Sequence, residues 1–423
     1  MQRVLGSFPR LIFSLSALFL LPAPRALAQE EVKIGVIYPL TGASASTGLE
    51  LRNASELAAE IVNTSMKDLS LPLAATAGLP NLKGAKVTLV FADHQGNPQV
   101  GATEAERLIT QEHVAALMGC YQSAVTATAS QVAERHKVPF LNADSTSSTL
   151  TERGFKWFFR VTPHDDLFVR NFFEFFKDVQ KKKGIKLKKL ALFNENTLWG
   201  SETTKLEQKL AKEQGYNVGE TILYPAKSTQ LTSEVQRIAA ANADVVLQAS
   251  YLGDAILAMK TYRDLGYLPP ALLANDAGFT DTEFLKSVGK DGEYVLTREV
   301  WALDLAAKKP LIRKANDLLQ ARYKVNFTGN SARAFTGILT LADAINRAGS
   351  TKPEAIQKGL QETNIPGDQL IMPWDGIKFD QKGQNTLGAG IIVQVQNGKY
   401  ATVWPFQLAS ADIVWPIPPW SKR

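Results

Sequence analysis

The chain has 423 residues, 45% of them hydrophobic, with a single cysteine and a net charge of +6 from 47 Lys and Arg against 41 Asp and Glu. One cysteine excludes an intrachain disulfide framework. Discarding Arg3, Arg10 and Arg25 with an N-terminal leader leaves 44 basic residues against 41 acids, a balance that implies no nucleic-acid partner.

The first residues carry Arg3 and Arg10, then an apolar run from Leu11 to Leu21, then Pro22, Pro24 and the small-residue stop Ala26-Leu27-Ala28. A run of about 11 apolar residues falls short of the roughly 20 that span a bilayer. Residues 1–28 are therefore expected to be a signal peptide cleaved after Ala28, giving a periplasmic chain from Gln29 with no membrane span of its own. No cysteine follows the cleavage motif to carry a lipid anchor. The remaining length is more than one hydrophobic core usually serves, so two domains are expected.

Strand-length apolar runs then alternate with amphipathic helical patterns, the order of a parallel sheet covered by helices. The first series predicts strands at Val32–Tyr38, Val87–Asp93, Ala115–Gly119 and Pro139–Asn142, with helices at Gly48–Asn63, Asn97–Gln111 and Ser123–Lys137. After Pro163 a helix over Leu167–Gln180 carries Phe168, Phe172, Phe175 and Phe176 on one face, a stripe suited to a core. Strands at Leu190–Asn194, Thr221–Tyr224, Val245–Ala249 and Ala271–Ala274 alternate with helices at Gly200–Gln214, Thr229–Ala241 and Gly253–Leu265. Helices at Leu311–Tyr323 and Ala332–Ala348 follow, then strands at Ile377–Phe379, Ile391–Gln396 and Tyr400–Trp404. Asn397-Gly398 between the last two is a hairpin signal. The Trp- and Pro-rich end from Trp415 to Trp420 reads as an extended tail laid over a surface. The fold class expected is α/β, with two doubly wound lobes.

Catalytic signatures are missing: there is no Gly-x-Ser-x-Gly elbow, phosphate loop, dinucleotide fingerprint or His-Glu-x-x-His. His94, His113, His136 and His164 are not spaced as metal ligands with one another or with Cys120. His164-Asp165-Asp166 stands where a helix begins, which suits capping and the helix dipole. Neither a metal nor a cofactor is expected, and the chain does not read as an enzyme.

Ligands of open parallel sheets sit beyond the carboxyl ends of the strands, which selects particular loops. After Gly119 come Cys120, Tyr121, Gln122 and Ser123, where free backbone N–H groups at a helix start and the Ser123 hydroxyl suit a carboxylate or another acceptor. After Asn142 come Asp144, Ser145 and Thr146 in a run of hydroxyl side chains, equally readable as a binding surface or as a self-capping turn. From the second series Trp199, Tyr251 and Asp276 follow strand ends. An acid opposite an anion-accepting helix start fits a zwitterion, whose charges must each be paired when enclosed.

Val32-Lys33-Ile34-Gly35-Val36 leading to Pro39-Leu40-Thr41-Gly42, the Gly119–Ser123 turn, Leu150-Thr151-Glu152-Arg153-Gly154, Leu198-Trp199-Gly200 and Phe379-Asp380-Gln381-Lys382-Gly383 together resemble the periplasmic binding proteins for branched-chain amino acids that serve ABC importers. This is the leucine-binding, type I group, and the resemblance runs over nearly the whole mature chain. It implies a hinge of three crossings, with one lobe from residues 29–162 and 298–373 and the other from 163–297 and 374–423. Carried over by residue, it puts carboxylate-binding hydroxyls near Ser123 and at Thr146, ammonium-binding groups at Tyr251 and Asp276, and a closing aromatic at Trp199. Thr47 stands where the amino-acid binders often place a tyrosine, and Asp144 replaces a small residue. A carboxylate at Asp144 would repel a ligand's own, so that end of the ligand could carry an amide, hydroxyl or amine, unless Asp144 turns away to cap its loop. Sequence between Lys67 and Leu82 lengthens the loop before the second strand. The function implied is capture of an amino acid or related small polar molecule for an ABC permease, by a monomer. The alternative is a periplasmic sensing subunit for amides or small aromatic acids on the same fold.

Overall fold

The computed structural model describes residues 1, 2, 6 and 31–423. Apart from residues 1, 2 and 6, the expected signal peptide lies outside the described residues, as do its cleavage after Ala28 and the start at Gln29.

The first series runs β1 (Glu31–Tyr38), α1 (Ala45–Asn63), β2 (Lys86–Asp93), α2 (Pro98–Thr110), β3 (Ala116–Gly119), α3 (Ser123–His136), β4 (Phe140–Asn142) and β5 (Phe158–Arg160). These strands form a parallel sheet in the order β2-β1-β3-β4-β5. Because β1 is paired on both edges and covered on both faces, its residues are apolar almost without interruption. Ile34 and Val36 pack with Leu51 and Ala58 of α1, whereas Ile37 packs with Leu108 of α2 and Val125 of α3.

The second series runs α4 (Asp165–Lys183), β6 (Lys189–Glu195), α5 (Leu198–Glu213), β7 (Asn217–Tyr224), α6 (Thr232–Ala240), β8 (Val245–Ala249), α7 (Leu252–Asp264), β9 (Leu272–Ala274), α8 (Thr282–Val288) and β10 (Leu296–Glu299). It is followed by α9 (Pro310–Tyr323), α10 (Gly329–Ala348), α11 (Pro353–Gln361), β11 (Asn364–Pro366), β12 (Gly376–Lys378), β13 (Ile391–Gln396) and β14 (Lys399–Trp404). The second sheet has the order β14-β13-β10-β9-β8-β6-β7, antiparallel only where β13 meets β10 and β14. Phe172, Phe175 and Phe176 are buried against one face of it, and the C-terminal tail lies on it, with Trp415 beside Phe175 and Ile417 buried.

Among the described residues the chain passes between the sheets three times: after β5, after β10 and between β12 and β13. Residue 298, expected at a junction, lies inside β10, which stays in the second sheet throughout. Residue 374, the other expected junction, precedes β12, whose Ile377 is buried in the first core together with Ile365 of β11. β10 escaped the periodicity reading because Arg298 and Glu299 occupy buried strand positions. The long loop before β2 is core rather than decoration: Leu69, Leu71, Ala74 and Leu79 are buried with α1, α9 and α10. No helix among the described residues is long and apolar enough to cross a membrane.

Candidate functional site

Each sheet sends loops from its carboxyl edge to a common seam. On the first sheet, β3 ends in a turn that places Tyr121 at φ +88°, a left-handed conformation that a side-chain-bearing residue rarely adopts. The turn is held from the neighbouring loop: the Ser145 hydroxyl donates to the Tyr121 carbonyl at 2.8 Å and lies 2.6 Å from the Thr126 hydroxyl. Asn142 closes that loop on itself, its side-chain Oδ1 accepting from the amides of Asp144 and Ser145 at 3.1 and 2.9 Å. Buried Arg160 donates to the Ser147 carbonyl at 2.6 Å. The hydroxyl loop thus combines both readings left open by its sequence. Asn142 and Ser145 hold it, while Asp144 and Thr146 face the seam.

On the second sheet, Thr197 caps α5 by accepting from the Gly200 amide at 3.1 Å, which fixes Trp199 in the first turn. A Cβ on Gly200 would stand 2.1 Å from the Glu195 carbonyl, so only glycine allows this approach. Tyr251 sits at the start of α7, its amide donating to Glu195 Oε1 at 2.5 Å. After β9, Asp276 and Ala277 both have positive φ, +59° and +50°. The ring of Tyr251 lies 5.0 Å from that of Trp199 and 5.5 Å from that of Tyr121, so aromatics from both sheets meet.

Between these loops is a cavity of about 20 Å³, lined by Tyr121, Ser123, Asp144, Thr146, Trp199, Tyr251, Asp276 and Ala277 together with Arg298 of β10 and Arg333 of α10. A chain of buried charges crosses it. Asp276 Oδ2 lies 2.6 Å from Arg298 Nη1 and 2.8 Å from Arg333 Nη1. Arg333 Nε stands 3.6 Å from Asp144 Oδ1, and Arg298 Nη2 stands 3.8 Å from Asp165 Oδ1. Burial opposes the charge of Asp276, but Arg333 and Arg298 outweigh it and hold this carboxyl below its ordinary range. Asp144 goes the other way: burial pushes it up to about 7 despite Arg333 and the Tyr38 hydroxyl, which donates to it at 3.3 Å. Glu299, buried near Asp276, is likewise pushed up to about 8.

Buried polar groups are nearly always paired. Here five that lack a hydrogen-bond partner belong to residues lining this one cavity: Tyr121 Oη, Trp199 Nε1, Arg333 Nε and Nη1, and Asp144 Oδ1. Arg333 Nη1 is nevertheless ion-paired with Asp276 Oδ2 at 2.8 Å. The unpaired atoms are mostly donors, with one carboxylate among them.

Residues 31–399 match the family described as periplasmic binding protein. The chain belongs to that family. A Leu/Ile/Val-binding protein homolog of Brucella suis is 29% identical over 399 residues, covering 92% of this chain and 96% of its own. Among solved structures, a leucine binding protein of Thermotoga maritima shares the fold with a TM-score of 0.76 at 23% identity, over 88% of this chain and 97% of its own. A branched-chain amino acid transporter substrate binding protein of Streptococcus pneumoniae, in complex with isoleucine, does so with a TM-score of 0.74 at 19% identity, over 92% and 100%. The two doubly wound lobes and three crossings are the plan of type I periplasmic binding proteins.

Within this family fold, seven of the nine residues singled out from the sequence line the cavity: Tyr121, Ser123, Asp144, Thr146, Trp199, Tyr251 and Asp276. Ser145 does not line it, because its hydroxyl is spent on the Tyr121 turn. Thr47 is not among the lining residues either; it is fully buried and donates to Asp281 Oδ2 at 2.5 Å. The Thr146 hydroxyl donates to Asp165 at 3.0 Å, and Asp276 is already engaged by two arginines. Ser123 Oγ accepts from the Ser147 amide at 3.3 Å. His164 opens α4 without a side-chain cap, and buried Asp165 beside it serves the charge chain. Sequence reasoning missed Arg298 and Arg333, the cavity's two cations. The available signal was an arginine inside an otherwise buried stretch: Val295-Leu296-Thr297-Arg298 and Ala332-Arg333-Ala334-Phe335.

Proposed function

We propose that the chain is the exported solute receptor of an ABC importer, closing its two lobes about the three crossings on an amino acid or related small polar molecule. The observation that carries this reading is the convergence of unpaired buried polar atoms from both lobes on one cavity. Arg333, Trp199 and Tyr121 offer donors to a carboxylate or other acceptor oxygen, and Asp144 offers an acceptor to an amine or hydroxyl. Arg333 beside Asp144 offsets the repulsion that an isolated acid would exert, so a ligand carboxylate fits. Asp276 is assigned to orienting Arg333 and Arg298 rather than to an ammonium group. The relatives named for leucine, isoleucine and valine agree with an amino-acid ligand.

The same reading makes the protein a carrier rather than an enzyme. Cys120 is buried with its thiol pushed up, far from thiolate, and the Ser123 hydroxyl faces an amide rather than a base. Delivery to a permease, residence in the periplasm after cleavage at Ala28 and action as a monomer belong to the proposal. Lobes divided at the three crossings replace the junctions at 298 and 374.

Calorimetric titration with amino acids, amides and small aromatic acids tests it. At least one class is expected to bind, and Arg333→Gln is expected to weaken that binding about 100-fold, since truncating one member of a buried charge pair costs roughly 2–5 kcal/mol. A folded protein that binds none of the three classes would overturn the reading.

A further inference from the structure

Tyr251 lines two cavities. Besides the central one it lines a second cavity of about 140 Å³, also between the lobes, whose walls include Gln122 and Ser44 from the first and Glu195, Lys227 and Asp254 from the second. A volume of this order takes a group about the size of benzene.

Its unpaired polar atoms have the opposite character from those of the central cavity. Glu195 is fully buried. One oxygen accepts from the Tyr251 amide, while Oε2 has no donor to satisfy it. That carboxyl also faces Asp254, whose own oxygens accept from the amides of Lys227 and Ser228 at 2.7 and 3.0 Å. Gln122 donates to the Ser44 hydroxyl at 3.1 Å, and its buried Oε1 is unpaired. Two buried oxygens that receive no N–H or hydroxyl, one on each lobe, therefore line the same space, and the Glu195 carboxyl is also in hydrogen-bond contact with that of Asp254. Two facing carboxyl groups repel unless a proton or an outside donor lies between them. Burial and Asp254 do hold Glu195 well above the usual carboxylate range.

We propose that the ligand is elongated, its acceptor end in the central cavity and a distal N–H-bearing group in the outer one, held by Glu195 and Gln122. This rests on the receptor reading above and adds the ligand's other end. The chemistry shared by the candidates is an N–H donor at the far end of a chain, either a primary ammonium or a terminal amide. Lys227 on the same wall partly offsets Asp254, so a neutral amide is accommodated as well as a cation.

Calorimetry with two matched pairs tests it: lysine against norleucine for the ammonium, and glutamine against norvaline for the amide. Lysine or glutamine is expected to bind at least about tenfold more tightly than its apolar partner, the worth of one hydrogen bond to a buried charged or polar group. That preference should fall below about threefold in Glu195→Gln, which keeps an acceptor for the Tyr251 amide, and fall likewise in Gln122→Leu should the first variant not fold. Equal binding within both pairs overturns the proposal, as does a preference that survives both substitutions. If none of the four binds while another compound of the wider panel does, the outer assignment is lost and the receptor reading stands. If nothing binds at all, the receptor reading itself fails.

Discussion

The two lobes touch in two chemically different ways. At the centre, Asp144, Arg333, Asp276, Arg298 and Asp165 form an alternating chain of fully buried charges. Toward the rim, neutral hydroxyls meet acids instead. Ser147 and Thr149 donate to Glu202, the latter at 2.6 Å. Farther in, Ser46 and Thr47 donate to buried Asp281 at 3.0 and 2.5 Å, and Thr282 donates to buried Glu50. A buried charge exposed to loss of its partner is costly, because the desolvation already incurred is no longer offset. A hydroxyl and a carboxylate that separate into water lose little, since water replaces each partner. The central chain is therefore suited to deciding which ligand is held, and the rim to closing and opening without a large barrier.

The most severe way to break that contrast is Asp276→Ala. It leaves Arg298 and Arg333 facing each other in the interior without their shared counter-ion, and the expected loss of folding stability is about 3–5 kcal/mol, read by denaturant unfolding. A loss below about 1 kcal/mol would show that the centre is no more demanding than the rim.

A smaller effect with a definite sign comes from Asp144. Its folded carboxyl, at about 7, holds a proton that the unfolded chain releases near the ordinary value of about 3.9. Between these values the folded state binds more protons, so this group's contribution to stability is full below about pH 4 and is lost as pH rises through about 7. Asp144→Asn removes that dependence. Relative to wild type it is expected to be more stable at about pH 8 than at about pH 5, by at least about 1 kcal/mol. Glu299 and Glu50, pushed up to about 8 and about 7, slope the same way in both proteins and cancel from the comparison. A variant that tracks wild type at both pH values would place the Asp144 proton elsewhere.

This contrast also explains what the sequence could disclose. β1, β6 and β8 were legible because strands buried on both faces are apolar throughout, and the site loops were legible because a parallel sheet sends them to one edge. Tyr121, Trp199 and Tyr251 follow from that rule alone. Arg298 and Arg333 do not: the local sign, an arginine inside an apolar stretch, names none of the counter-ions, which come from other segments. Thr47 illustrates the same limit away from the charge chain, since its partner Asp281 lies 234 positions away. The stretch before β2 looked like an insertion of unknown purpose because its apolar residues, Leu69, Leu71, Ala74 and Leu79, have no regular period. Their burial comes from α9 and α10, which follow much later in the chain.

The smallest expected effect is the one that most sharpens the distinction. In Glu202→Gln the side chain keeps its length and one carbonyl oxygen, so one of the Ser147 and Thr149 hydroxyls retains an acceptor while the charge disappears. Glu202 is only half-buried and Thr149 is exposed, which limits the loss to about 0.5–1 kcal/mol. Since the contact forms between lobes that have already met, the change belongs to opening rather than to encounter. Stopped-flow displacement should therefore show ligand release about two- to fivefold faster, with association unchanged. Weakening as large as that expected for Arg333→Gln would make Glu202 part of the recognition chemistry and erase the division between centre and rim. Slower association would instead mean that the rim contact forms before the ligand is enclosed.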